Sequence, residues 1–152
     1  MKGRTYRYMT EEPAYPFGFG LSYTRFEYGS LQIEDFPSFD RPLKLTFALT
    51  NTGPRDGEEV VQIYLKVLNA PLNAPHYSLV GFKRLALRAG ESQVVVFEIT
   101  AEKLMSFDEQ GQMHLLSGKY EVFVGGCSPG ETGQMLGATL PLIGHFQVYP
   151  KD

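Results

Sequence analysis

Between Leu43 and Asn51 the chain reads LKLTFALTN, with Leu43, Leu45, Phe47 and Leu49 on one parity and Lys44, Thr46 and Thr50 on the other. An apolar residue at every second position gives an extended strand one face for a core and one for water, a pattern a helix of 3.6-residue period cannot use. Such a strand needs a paired neighbour and a facing apolar layer, which commits the chain to half-buried antiparallel sheet. The same parity recurs as Val61, Ile63, Leu65 and Val67 in Glu59–Leu68, Val95, Phe97 and Ile99 in Ser92–Thr100, and Tyr120, Val122 and Val124 in Lys119–Gly125. Leu79–Leu87 reads as a strand whose apolar phase breaks at Lys83 and Arg84. Phe26–Glu34 reads as a first strand with a bulge at Gly29–Ser30, because Phe26 and Tyr28 are out of phase with Leu31 and Ile33. A last strand over Ala138–Tyr149 is interrupted at Pro141 and Gly144. The prediction is an all-β antiparallel sandwich of about seven strands, with Leu45, Phe47, Val61, Ile63, Val95, Phe97, Tyr120 and Val122 buried together. Gln62, Tyr64 and Lys66 read as an outward polar side. Val94 and Val96 suggest that their strand is partly covered on both faces. One helical turn is expected in Thr100–Phe107, capped by Thr100, and Cys127–Gly137 reads as a glycine-rich loop without a helix.

Upstream of these strands, Tyr15–Tyr28 (YPFGFGLSYTRFEY) fits neither period. Pro16 fixes its own φ and biases Tyr15 toward extended backbone, while Gly18 and Gly20 allow geometry denied to Phe17, Phe19 and Leu21. A segment this apolar is either a plug on its own domain or a joint packed between two domains, since both environments favour the same aromatics.

These residues carry a family resemblance. GRTYRYM at Gly3–Met9, followed by the aromatic-glycine run, resembles the junction of glycoside hydrolase family 3 enzymes, where an α/β sandwich domain leads into a C-terminal fibronectin type III-like domain. The similarity continues through NTGPRDGEEVVQIYL (Asn51–Leu65), LVGFKRLALRAGES (Leu79–Ser92) and SGKYEVFVGG (Ser117–Gly126), and so covers nearly the whole chain. GRTYRY and the GGCSP turn at Gly125–Pro129 tilt it toward the β-xylosidase-like side of that family. The resemblance implies an interdomain arm over residues 1–25 and a sandwich over 26–152. It also implies that Tyr15, Pro16, Phe17, Gly18, Phe19, Gly20, Leu21 and Tyr23 contact the catalytic domains of the same polypeptide. Independently, Tyr120 begins a strand after a Gly118 turn, where immunoglobulin-like sandwiches place a tyrosine whose hydroxyl bonds to upstream backbone. No tryptophan and a single cysteine are present, so the fibronectin type III-like variant is the better description.

Chemistry is sparse. A retaining glycosidase needs two carboxyl groups about 5 Å apart. The acids to consider are Asp56, Glu58, Glu59, Asp108 and Glu109, all in or beside turns, where they serve solvation and turn formation. In family 3 enzymes of this architecture the nucleophile and acid/base belong to other domains, so no catalytic residue carries over. His76, His114 and His145 share no ligand spacing with Cys127, so neither metal nor cofactor is expected. Cys127 lacks an adjacent base that would lower its pKa. A net charge of −3 argues against a nucleic-acid surface. No apolar run is long enough for a membrane helix. LNAP occurs twice, at Leu68–Pro71 and Leu72–Pro75, and its two prolines suit an extended loop. Leu72 and Tyr77 are its expected contact residues if it projects toward a cleft rim; the competing reading is a tolerated four-residue duplication that serves only as a spacer. The reading is an inert accessory domain that packs on catalytic domains and supports a subunit contact. The alternatives are a free-standing carbohydrate-binding module, whose aromatic face would be exposed and coplanar, and an adhesive sandwich repeat.

Overall fold

The alternating segments form strands because each can pair on its edges and bury one parity of side chains. The computed structural model describes residues 5–34, 41–69, 75–107 and 111–149. Its strands are β1 (Phe26–Ile33), β2 (Leu43–Asn51), β3 (Gly57–Val67), β4 (Ser78–Leu87), β5 (Ser92–Ile99), β6 (Met105–Phe107), β7 (Met113–Leu115), β8 (Gly118–Gly125) and β9 (Leu142–Val148). A three-stranded sheet in the order β1-β2-β5 packs on a four-stranded sheet in the order β4-β3-β8-β9, and every pairing is antiparallel. The hairpin β6-β7 stands apart from both.

Leu43, Leu45, Phe47 and Leu49 of β2 meet Val61, Ile63 and Leu65 of β3 in one core, with Val95 and Ile99 of β5 and Tyr120, Val122 and Val124 of β8. Of the expected core only Phe97 is half-buried; its ring lies nearly parallel to Phe47 at 6.2 Å, at the open side of the sandwich. The β1 bulge is present: pairing with β2 slips between Gly29 and Gln32, and Ser30 takes a left-handed φ of 57°.

Several expectations need correction. The phase of β4 changes at Val80 and not at Lys83 and Arg84. Ile63 pairs with Gly81 and Tyr64 with Leu79, so Val80 is the extra residue of a bulge. Gln62 and Tyr64 are buried, because the N-terminal arm lies over the outer face of the four-stranded sheet. Val94 and Val96 are exposed: among the described residues no comparable segment covers the other sheet. Ala101–Leu104 is a short 3-10 helix, and the Thr100 side chain makes no capping bond. The glycine-rich segment holds a helix after all, α1 (Glu131–Met135).

Two buried polar groups fix the turns. The Tyr120 hydroxyl donates to the Leu116 carbonyl at 2.7 Å, and burial pushes its phenol up to about 12. Asn51, fully buried at the end of β2, donates through Nδ2 to the carbonyls of Arg55 (2.8 Å) and Leu87 (3.1 Å). Its Oδ1 accepts from Thr24 Oγ1 (2.6 Å) and the Gly53 N–H (3.1 Å). That is the whole bonding capacity of an amide side chain. Asn51→Ala is therefore expected to lower the unfolding free energy by about 2–4 kcal/mol, because buried carbonyls lose their donors. Urea denaturation of the two proteins measures this.

Candidate interdomain surface

The arm binds through backbone as much as through rings. Tyr8 and Met9 donate their N–H groups to the Thr5 carbonyl, closing a turn that presents Tyr6 to the sheet. The Tyr6 ring meets Tyr64 edge-on (6.0 Å, 83°) and stacks on Phe17 at 4.6 Å. Its hydroxyl accepts from the Leu79 N–H at 3.4 Å, and the Arg7 carbonyl accepts from the His76 N–H at 2.6 Å. These contacts lay residues 5–9 across β3 and β4.

In the joint, Pro16 and Phe19 close a tight turn through Phe19 N–H to Pro16 carbonyl, 3.1 Å. Gly18 sits there at φ +77°, and a Cβ on it would come within 2.3 Å of Gln62 Oε1. This is why glycine stands there. The Phe17 carbonyl accepts from the Ser128 N–H at 2.8 Å. Gln62 Nε2 donates to the carbonyls of Gly18 (3.3 Å) and Gly126 (2.7 Å), while its Oε1 accepts from the Tyr64 hydroxyl at 2.6 Å. Pro16 is buried against α1: a Cβ on Gly133 would lie 3.3 Å from Pro16 Cγ and 3.1 Å from Cys127 Sγ. The Glu12 carboxylate accepts from Thr132 Oγ1 at 3.0 Å, so the arm and α1 hold each other.

The joint's backbone is thus pinned while much of its apolar surface is not covered. Tyr15 is largely exposed, about half of Phe17 is exposed beside Tyr6, Leu21 is 91% exposed and Tyr23 93%. Phe19 is half-buried, and Gly18 and Gly20 are exposed. As a plug on its own domain the segment is incomplete: Pro16 and backbone bonds seat it on the sandwich, while the Tyr15 ring stays outside and about half of Phe17 is exposed.

Beneath the joint lies a cleft of about 330 Å³ bordered by Phe19, Leu21, Arg25, Tyr28, Glu59 and Cys127. At its base the Tyr28 hydroxyl donates to Glu59 Oε1 at 2.5 Å. Burial raises the Glu59 carboxyl, and the Tyr28 bond offsets part of that rise. Burial, and then the charge of Glu59, raise both the Tyr28 phenol and the Cys127 thiol. Cys127 is therefore held as a thiol and is a poor nucleophile. Glu59 is a strand residue held by a phenol, which corrects its reading as a turn acid. Glu58 pairs with Arg84 at 3.3 Å, and Asp56 accepts from the Ala89 N–H at 2.9 Å. Asp108, Glu109 and Leu72 lie outside the described residues. Tyr77 is half-buried, edge-on to Phe123 at 5.3 Å, with the Lys66 ammonium 5.5 Å from its ring centre. Among the described residues no group of three His, Cys, Asp or Glu side chains is placed to hold a metal ion.

Sequence reasoning missed Gln62, Tyr64, Glu12 and the Tyr28–Glu59 pair. Only Gln62 carried a signal, as an amide inside the run Val60–Leu65.

Residues 59–128 match the family described as the fibronectin type III-like domain. The chain is 41% identical over 130 residues to a xylan 1,4-beta-xylosidase of Xylanibacter ruminicola, covering 84% of this chain and 15% of that protein. It is 38% identical over 125 residues to a periplasmic beta-glucosidase of Salmonella typhimurium, covering 80% and 16% respectively. Among solved structures, beta-glucosidase 3B from Thermotoga neapolitana superposes with a TM-score of 0.80 at 37% identity, over 95% of this chain and 19% of that one. The chain thus spans about a sixth of the length of these curated relatives.

Gly18→Ala is expected to cost about 1–2 kcal/mol through the left-handed backbone and the Gln62 contact. Thermal melting and faster proteolysis within residues 15–23 check it. Glu59 titrates higher folded than unfolded, so its stabilising contribution is full below the unfolded carboxylate range and is lost as pH rises through the folded value. Glu59→Gln keeps an acceptor for Tyr28 and removes that loss. The variant should gain stability relative to the parent between about pH 4 and about pH 7, by denaturant titration at both pH values.

Proposed function

On the premise that this chain is a fibronectin type III-like domain of the kind carried by glycoside hydrolase family 3 β-glucosidases and β-xylosidases, we propose that it is their non-catalytic C-terminal accessory domain and packs its aromatic joint against the catalytic domains of the same polypeptide. The observation that carries this reading is the contrast within the joint: its backbone is bonded to Gln62 and Ser128 while Tyr15, Phe17, Leu21 and Tyr23 remain exposed. Four apolar side chains in water on an ordered scaffold suit a surface that a second domain covers. In this reading residues 1–25 are the interdomain arm and 26–152 the sandwich. On the same reading Leu72 and Tyr77 are contact residues toward the rim of the catalytic cleft, Tyr77 being held edge-on to Phe123. The parent enzyme cleaves β-glucosidic or β-xylosidic bonds with residues that lie outside this chain.

The test is made in the multidomain enzyme that contains this chain. Replacing Phe17, Leu21 and Tyr23 by Ser, singly, should lower interdomain stability by about 1–2 kcal/mol each, read as a drop in melting temperature and faster thermal inactivation. The kcat/KM on an aryl β-glucoside or β-xyloside at low temperature should stay near that of the parent. The chain alone should turn over neither substrate. Unchanged melting in all three variants, or activity of the purified chain, would sink the proposal.

A further inference from the structure

A sandwich of two open sheets has four edge strands, and each edge exposes backbone N–H and C=O groups that can template pairing with another chain. Three of the four edges are blunted here. β1 carries the Gly29–Ser30 bulge, and its Leu31 and Ile33 reach over Gly144. β4 carries the Val80 bulge, with Lys103 Nζ donating to the Val80 carbonyl at 2.7 Å and charged Lys83 and Arg84 beyond it. β9 runs unbroken through Gly144, against the expected interruption there; Gly144 lies under Leu31 and Ile33 of β1, and the next residue, His145, is bonded to Glu121 at 2.9 Å.

β5 is different. Its eight residues, SQVVVFEI, pair with β2 without a slip, contain neither Pro nor Gly, and include a single charge, Glu98. Among the described residues no strand pairs with its other edge. On its outer face Val94 is 68% and Val96 44% exposed, so both the hydrogen-bonding edge and the adjoining apolar face are open.

We propose that β5 is a self-association edge, pairing antiparallel with β5 of a second copy of this chain about a two-fold axis through Val95. The sequence is complementary to itself in that register. Val94 lies opposite the partner's Val96, Gln93 opposite the partner's Phe97, and Ser92 opposite the partner's Glu98. Apolar pairs meet at the centre, and the one acid faces a hydroxyl and never its own copy. Directly opposed side chains share a face, so the four valines at 94 and 96 form one patch across the joined sheets. A two-fold contact of this kind is isologous and closes on itself as a dimer. The surface is separate from the aromatic joint, so its existence does not depend on the interdomain reading.

Sedimentation equilibrium of the chain over a concentration series tests the dimer, expected at twice the 17.1 kDa of one copy. Val94→Lys with Val96→Lys sets two lysine pairs directly opposite and should weaken dimerisation at least about tenfold, with the far-UV circular dichroism unchanged. Should the lysine protein fail to fold, a Val94→Cys, Val96→Cys protein keeps the register testable. Its oxidation should link the copies through position 94 of one and 96 of the other, mapped by peptide mass, while the parent with Cys127 alone does not link. A parent that is monomeric at every concentration, a dimer that survives both lysines, or failure of the 94–96 link to form would overturn the proposal. So would a dimer abolished by Phe17→Ser and untouched by the lysines, which would place the contact on the joint.

Discussion

The buried amide of Asn51 is the constraint on which most of the rest depends. It closes β2, and its Nδ2 ties the carbonyl of Arg55 in the β2-β3 turn to that of Leu87 at the end of β4. Its Oδ1 holds Thr24 just before β1. The backbone N–H of Asn51 donates to Glu91 and its carbonyl accepts from Gly90, which adds the β4-β5 turn. Three connections at one end of the sandwich, the approach to β1, the β2-β3 turn and the β4-β5 turn, are thus indexed to one residue. A buried amide with two donors and two acceptors all paired is worth more than its average bond, because any alternative packing leaves a buried group unpaired. Register in β1, β2 and β4 is therefore specified by hydrogen bonding in addition to hydrophobic parity.

With the sandwich fixed, the difference between its two outer faces becomes informative. The four-stranded sheet is roofed by Tyr6, Phe17 and Tyr77, and burial of the Tyr64 ring and the Gln62 amide follows from that cover. Among the described residues no segment roofs the three-stranded sheet, and Val94 and Val96 are exposed. The chain's own N-terminal arm covers the four-stranded sheet over Gln62 and Tyr64, while Phe82 on β4 and Ile143 on β9, at its two edges, stay exposed. Among the described residues, Leu21 and Tyr23 of the joint and Val94 beside the β5 edge are among the most exposed apolar side chains.

The strands were legible because period-two alternation states both the element and its buried side; Leu43–Leu49, Val61–Leu65 and Tyr120–Val124 needed no tertiary knowledge. Failures came where burial is decided by a distant segment. Gln62 reads as solvent-facing until the arm, 44 residues upstream in the chain, places the Gly18 carbonyl beside it. α1 was unreadable for a related reason: with Gly130 and Gly133 in and beside it, local propensity is poor, and it persists through Glu12 at its start and Pro16 against Gly133. At the site, the aromatic composition of Tyr15–Tyr23 was visible. The division between pinned backbone and free rings was not, since it rests on bonds to Gln62 and Ser128 that no local pattern encodes.

That division bears on how such a domain serves a larger enzyme. A flexible aromatic linker would lose backbone freedom on docking, about 1–2 kcal/mol for each residue ordered, and this would offset much of what its rings gain by burial. Here the turn at Pro16–Phe19 is already closed, Gly18 already sits in its left-handed conformation, and Tyr6 already braces Phe17. Ordering is accomplished by the sandwich itself, through Gln62 on β3 and Ser128 after β8. A domain docking here meets a preformed surface, so the burial of Leu21 and Tyr23 goes almost wholly into association. In this reading the isolated domain bears the cost as exposed apolar surface, which a neighbouring domain would relieve on docking.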